Sequence, residues 1–579
     1  MEQRGGLPHI AWPARLRPNV WDLVALPLVL GFLALLAWGG LAMAAHYHIG
    51  EAMPLSLDPW YLPEYALRTV LRMGAALVAS LVFTLIYAAL AAKSRQAEKI
   101  LIPVLDILQS VPILGFLSIT VTGFIALFPG RLLGVECAAI FAIFTSQAWN
   151  MTFSLYQSLR TVPVELIEAA RMYHLSTWQR FWRLEVPHAV PGLVWNMMMS
   201  VSGGWFFVVA SEAITVSGHT ILLPGIGSYI ATAIVRRDLA AIGYAVLVML
   251  VVILLYDQLL FRPLLAWSRK FVGDVRGDED YVRPWFLIVL QRAQLFDLVQ
   301  AGVLALNRVL DQAIASLSPR APARRQSRSS PWFERGFNLL LVAGAVGGGG
   351  WIVHFVLGRV APGEIGWVLL LGLFTALRVM VLIALASLIW VPVGVWIGLH
   401  PNLADRVQPI VQFLATFPAN LFFPVAVVLI LRFGLNPEVW LSPLMILGTQ
   451  WYILFNVIGG ASALSSELLL AAGNLGLRPS RLLWWRRVML PAIFPAYITG
   501  AVTAAGGSWN ASIVAEVVQW GDTTLHATGI GAYISRYTAE GDAARITLGI
   551  AVLCLYVLAF NRLLWRRLYD MAAERLRLD

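Results

Sequence analysis

Long apolar runs recur along the chain at about 23 to 45, 66 to 92, 101 to 128, 132 to 154, 190 to 212 and 239 to 261. A bilayer core about 30 Å thick needs roughly 20 residues of apolar helix, so these runs predict six spans. After a polar stretch, six more are predicted at about 337 to 357, 366 to 399, 409 to 432, 440 to 459, 492 to 515 and 543 to 564. The expected fold is an all-α polytopic membrane protein with twelve transmembrane helices. The first run starts beyond residue 20, with no small-residue cleavage site, and so reads as an anchor rather than a removed signal peptide.

The connections carry the orientation. Arg4, Arg15 and Arg17 precede the first span, Lys93, Arg95 and Lys99 follow the second, and Arg160, Arg171, Arg180 and Arg183 follow the fourth. The arginine-rich stretch at 266 to 336 and the tail with Arg566, Arg567, Arg575 and Arg577 fall on the same side. By the positive-inside rule that side is cytoplasmic, and both termini are inside. The segment from Trp267 to Pro331 is a linker. Its middle, 285 to 317, has helical apolar spacing broken by charges, and is either an amphipathic helix on a membrane or partner surface or a solvated tether.

The chain repeats itself. At an offset of 304, Gly203-Gly204-Trp205 with Glu212 matches Gly507-Ser508-Trp509 with Glu516, and Gly225-Ile226-Gly227 matches Gly529-Ile530-Gly531. Arg72, Pro103 and Pro112 match Arg378, Pro409 and Pro418, while Trp149, Phe153, Ala169 and Ala170 match Trp451, Phe455, Ala471 and Ala472. The predicted organisation is a first half at 1 to 265, a linker at 266 to 335 and a second half at 336 to 579. Six spans per half is even, so both copies share one orientation, and a pathway between them follows naturally.

Composition narrows the function. The chain is 59% hydrophobic and 13% charged, against roughly 25% charged in soluble proteins, so its apolar excess must face lipid. Lys93, Lys99 and Lys270 are its lysines and none follows a glycine, which excludes a phosphate-binding loop of the Walker type. Cys137 and Cys554 lie inside apolar runs, and the histidines are scattered without ligand spacing, so neither a disulfide framework nor a metal site is expected. The net charge of +10 needs no nucleic acid, because a membrane protein gathers arginine on its cytoplasmic side.

The loop after span four of each half is the most specific feature. The first copy runs through Glu168-Ala169-Ala170 to Pro187 and Pro191, the second through Ala471-Ala472 and Gly476 to Pro491 and Pro495. This predicts a short helix with a small-residue face that another surface can approach, a turn, and a second helix entered through proline. The loop resembles the EAA coupling motif of type I ABC importer permeases, and the Trp205-to-Glu212 and Trp509-to-Glu516 stretches followed by Gly-Ile-Gly resemble the nitrate, sulfonate and taurine branch. The copies depart from the motif at His174, where glycine is preferred, and at Leu470, where glutamate is. The resemblance implies two tandem six-helix permease halves in the bacterial cytoplasmic (inner) membrane. Two ABC ATPase subunits carrying ATP and Mg would dock on Glu168, Ala169, Ala170, His174, Pro187, Ala471, Ala472, Gly476 and Pro491. It also implies a periplasmic or lipid-anchored substrate-binding protein touching 213 to 238 and 517 to 542, and a small oxyanion as solute.

Ionisable and polar groups within spans default to functional candidates. Asp106, Glu136, Glu212 and Glu516 qualify by depth; the last two, at equivalent ends of span five, either gate or anchor the helix or touch substrate. Trp205 and Trp509 stand beside Ser202 and Ser508 and small glycines, which either pack helices closely or line a narrowed pathway. Asn510 has Phe206 as its counterpart, so the pathway is not symmetric. Gln109 and Ser110, against Ala415 and Thr416, and Gln412, opposite Asp106, are weaker candidates. Arg72 and Arg378 either attract an anion or snorkel to the interface. Two rival readings, a gradient-driven secondary transporter and a non-transporting membrane scaffold, share the twelve spans but not the paired loops.

Overall fold

In a computed structural model of the protein, the described residues are 55–110, 113–216, 219–271, 285–292, 331–464, 466–474 and 481–568, with isolated positions between 27 and 41 and at 302, 305 and 571. The expected first span at 23 to 45 and most of the linker therefore lie outside the described residues. The fold is helical. In the first half α1 is Leu62–Lys93, α2 Arg95–Ser110, α3 Ile113–Leu127, α4 Leu133–Arg160, α5 Val164–Met172, α6 Thr177–Arg180, α7 Val186–Glu212, α8 Ile226–Arg236, α9 Leu239–Tyr256 and α10 Arg262–Ser268. A short helix α11, Trp285–Arg292, stands in the linker. The second half follows with α12 Pro331–Leu357, α13 Pro362–Gly398, α14 Pro401–Thr416, α15 Phe423–Phe433, α16 Pro437–Trp440, α17 Gln450–Ser462, α18 Ser466–Asn474, α19 Arg481–Trp484, α20 Leu490–Ala515, α21 Ile530–Glu540 and α22 Ala543–Phe560.

Among the described residues six helices are long and apolar enough to cross a membrane, or eight when each bent pair counts as one span. The runs expected as single spans at 409 to 432 and 440 to 459 are each two helices, bent by 75° and 44°. Pro418 explains the first bend: it disfavours helix at the residue before it, and Phe417 accordingly sits at φ −70°, ψ 129°. The stretches expected as loops at 213 to 238 and 517 to 542 are structured. Each holds an antiparallel hairpin, Ala213–Val216 with His219–Leu222 and Val517–Trp520 with Thr523–His526, followed by α8 or α21.

The predicted helix entered through proline is also different. A continuous helix runs from Thr177 to Glu212, started by Ser176, whose hydroxyl accepts the Gln179 N–H while the Gln179 side chain returns to the Ser176 N–H. A single π-turn, Phe181–Glu185, precedes Pro187, and its counterpart Trp485–Met489 precedes Pro491. A second pair, Asp257–Phe261 and Asn561–Trp565, recurs at the same offset of 304.

The chain divides into two compact units, one of 1–42, 161–194 and 255–327, the other of 43–160, 195–254 and 328–579. The second contains most of the membrane-spanning helices of both halves. Within it α1 packs along α4, and α17 lies between α13 and α20. Glycine sets one of these approaches: a Cβ on Gly398 would fall 2.6 Å from the Ala461 Cβ and 2.7 Å from the Ile458 carbonyl oxygen. Gly398→Val is expected to destabilise the protein by about 1–3 kcal/mol, the usual range for overpacking. Gly366→Val, where a Cβ meets nothing within 4 Å, should leave the unfolding midpoint in detergent close to that of the parent.

Candidate functional site

A fully buried ion-pair network in the first half has a more exposed counterpart in the second. Arg72 on α1 is fully buried. Its Nε and Nη2 donate to the two Glu136 carboxylate oxygens at 2.6 and 2.7 Å, and its Nη1 donates to Glu212 Oε1 at 2.7 Å and to the Pro224 carbonyl at 2.9 Å. The Thr69 hydroxyl lies 2.7 Å from the same Glu212 oxygen and accepts the Ile226 N–H at 3.1 Å, while Glu212 Oε2 accepts the Gly227 N–H at 2.7 Å. This is why the sequence reads Gly-Ile-Gly. A Cβ at Gly225 would sit 2.3 Å from the Glu212 carboxyl carbon, and one at Gly227 2.2 Å from the Val209 carbonyl oxygen.

In the second half Arg378 pairs with Glu438 and, at 3.4 Å, with Glu516, and donates to the Thr528 carbonyl at 2.8 Å. Thr375 donates to Glu516 at 2.7 Å and accepts the Ile530 N–H at 3.0 Å. Glu516 Oε2 accepts the Ala532 N–H at 3.1 Å. The expectation that Arg72 and Arg378 snorkel to the interface is overturned: each has carboxylate partners on neighbouring helices, and Arg72 has no exposed surface at all. Glu438 and the two threonines went unnoticed in the sequence, although Glu438 stands in the same register to Glu136 as Trp451 does to Trp149.

Several pathway candidates meet where the two halves touch. The Ser202 and Thr416 hydroxyls are 2.9 Å apart, Gln412 donates to the Met198 sulfur at 2.9 Å, and Asn510 Oδ1 accepts the Ile113 N–H at 3.0 Å. Asn420, not singled out from the sequence, donates to the Phe206 carbonyl at 3.2 Å. Asn510 and Asn420 thus bridge the seam at two places with different chemistry. Ser508 stays within its own half, with the Thr449 hydroxyl 3.0 Å away. Trp205 and Trp509 are core residues, 1% and 3% exposed, and Glu212 and Glu516 are held in the buried networks. The side chains of Asp106 and Ser110 lie outside the described residues, and Gln109 approaches Asn150 at 3.5 Å.

The loop after α4 is built around α5. His174 takes φ +51°, the left-handed conformation that suits glycine, which accounts for the motif's preference there. Its N–H bonds the Arg171 carbonyl and the Leu175 N–H bonds the Ala170 carbonyl, closing the helix. Only part of the small-residue face is offered outward: one alanine of each pair is turned in. Ala170 and Ala472 are 6% and 4% exposed because the bulkier neighbours take the outer face, where Met172 and Tyr173 are 80% and 81% exposed. Glu168 and Ala471 are exposed, Ala169, Pro187 and Pro491 partly so, and Gly476 lies outside the described residues. Among the described residues no group of three or more His, Cys, Asp or Glu side chains is placed to hold a metal ion.

Two helical halves, each with an arginine–carboxylate network and each carrying a hairpin and a Gly-Ile-Gly turn after its fifth span, define a duplicated polytopic membrane subunit. The sequence profile of the binding-protein-dependent transport system inner membrane component family matches the chain twice, over residues 80–261 and 390–569, and the chain belongs to that family. It is 31% identical over 172 residues to the bicarbonate transport system permease protein CmpB of Synechococcus elongatus, a match covering 30% of this chain and 60% of that protein. It is 26% identical over 201 residues to the taurine transport system permease protein TauC of Escherichia coli (34% and 68%). With the nitrate import permease protein NrtB of Leptolyngbya laminosa the identity is 28% over 186 residues (32% and 62%). The chain thus aligns with about three fifths of the length of the bicarbonate and nitrate permeases, and with two matches to the family profile it is a duplicated member of that permease family.

Removing Arg72 would leave Glu136 and Glu212 facing each other without a cation. Arg72→Met is therefore expected to cost about 3–5 kcal/mol, the range for breaking a buried ion pair. Arg378→Met should cost less, because Glu438 is 43% exposed and water can take over part of the arginine's role. Unfolding midpoints of the two purified variants would check the order.

Proposed function

We propose that this chain supplies both membrane halves of an ABC importer for a small oxyanion, driven by two ATPase subunits that engage the loops carrying α5 and α18. One observation carries the coupling: α5 is a short, tightly closed helix presenting large apolar side chains to the outside, Val164, Leu166, Met172 and Tyr173. Exposed aromatic and Met side chains of this kind are what a partner groove buries as anchors. The second loop offers Leu470 and Leu482, 64% and 76% exposed. Glu168, Ala169, His174 and Ala471 stand on or beside these faces, whereas Ala170, Ala472, Pro187 and Pro491 set the loop's shape.

In this reading the loops, the linker and both termini are cytoplasmic, which the arginine distribution supports, and the chain lies in a bacterial inner membrane. ATP and Mg bind on the partner subunits. The hairpins at 213–222 and 517–526, with α8 and α21, face the opposite side and receive a binding protein. The seam residues Ser202, Thr416, Gln412 and Asn510 gate the passage between the halves. That related permeases are those of bicarbonate, taurine and nitrate systems supports a solute bearing an oxyanion group.

Co-purification with ABC ATPase subunits of the same cell, followed by ATP-dependent uptake in proteoliposomes, tests this. One chain with two ATPases is the expected complex. Met172→Asp and Tyr173→Asp together should weaken it about tenfold or more, since burying two charges in place of anchors costs at least ~1.4 kcal/mol. Uptake at the parent rate by that variant would overturn the loop assignment. Uptake with no ATPase present would turn the reading to a gradient-driven carrier, and a stable complex without flux to a scaffold.

A further inference from the structure

Within the first half, α2, α4 and α7 line an open pocket of about 140 Å3 formed by Gln109, Asn150, Phe153, Ser154, Gln157 and Asn196. Four of the six are primary amides, one is a hydroxyl and none carries a formal charge. Asn196 donates to the Ser154 hydroxyl oxygen at 3.0 Å, and Gln109 and Asn150 approach each other at 3.5 Å. Ser154 and Asn196 are half-buried and the other four lining side chains are exposed, so the pocket is open and a polar occupant can reach its amides from outside. Amides are also the residue type that combines several donors with no net charge.

The duplication supplies the control. At the corresponding positions the second half has Ala415, Tyr452, Phe455, Asn456, Gly459 and Gly500. There a Cβ on Gly500 would lie 2.7 Å from the Tyr452 carbonyl oxygen, and Asn456 turns onto that same carbonyl at 2.8 Å. Helix backbone fills the space that Asn196 and Asn150 face in the first copy. The amide cluster therefore belongs to one copy and is not dictated by the shared fold.

We propose that this pocket is a transient binding subsite, in the first half alone, for a small solute carrying one oxyanion group. The amide N–H groups and the Ser154 hydroxyl supply donors to the oxygens, and Phe153 supplies an apolar wall. Neutral donors suit such a subsite, because a site on a pathway must bind well enough to be entered and weakly enough to be left, and a lysine or arginine in the wall would hold the anion too firmly. This deepens the importer reading and rests on it for the direction of transport, though not for binding itself.

Nitrate, bicarbonate and taurine are each titrated against the purified full chain, with chloride as reference, following the unfolding midpoint. The proposal expects at least one of the three to raise the midpoint over chloride in the parent. Asn150→Asp, nearly isosteric and on an exposed side chain, places a negative charge on the wall and should weaken that response about tenfold or more. Gln109→Ala, which installs the second half's residue, should weaken it in the same direction by removing a donor without adding charge. No response in the parent to any of the three, or an unchanged response in both variants, overturns the subsite. A response that the variants abolish in a chain that recruits no ATPase leaves the subsite standing and removes the importer reading.

Discussion

Arg72, locked between Glu136 and Glu212 with no contact to solvent, is the constraint on which the rest of the first half depends. Three helices, α1, α4 and α7, each contribute a member, and the carboxylate of Glu212 also takes the backbone of the Gly-Ile-Gly turn. Charges so deep are tolerable only when every oxygen is used, and here Thr69, the Gly227 N–H and the guanidinium use them. Arginine suits the position because its planar fork can satisfy one carboxylate bidentately and still reach a second. The price of that fit is rigidity: the end of α7, the hairpin after it and the start of α8 are tied to the first core helix and cannot move independently of it.

The second copy keeps the same plan with Arg378, Glu438 and Glu516 but in a wetter setting. Identical topology with unequal burial is what separate drift of two copies produces once each need only remain adequate. The seam shows the same divergence more sharply. Asn510 accepts the Ile113 N–H from one side, while from the other Asn420 donates to the backbone carbonyl of Phe206, the residue that corresponds to Asn510. The seam between the halves therefore carries different groups on its two sides and has no true two-fold axis.

Much of this was legible in the sequence. Apolar runs coincide with the six to eight spans found among the described residues, since lipid demands such runs and little else produces them, and the shared offset of Gly203 and Gly507 exposed the duplication. The pairing of Arg72 with Glu136 was not legible, because both lie in long apolar helices and nothing local states which helices are neighbours. Register across the repeat was the missed clue: Arg72, Glu136 and Glu212 each have a counterpart, and three ionisable groups kept together in two copies imply mutual contact. The orientation of α5 failed for another reason. Ala169 and Ala170 are small whichever way they point, and only packing shows that Ala170 turns inward while Met172 and Tyr173 turn out.

The π-turns tie the loops to the core in a way that composition could not announce. Each inserts one residue into a helix, and three of the four stand two residues before a proline, at Pro187, Pro263 and Pro491. Proline lacks an N–H and crowds the preceding turn, so an inserted residue relieves the clash and keeps the helix continuous where a kink or break would otherwise fall. The consequence is a single helix from Thr177 to Glu212 in place of two joined by a hinge. The helix runs from the Ser176 cap to Glu212, which is itself a member of the Arg72 network. The same continuity recurs in the second copy, where one helix runs from Leu482 to Ala515.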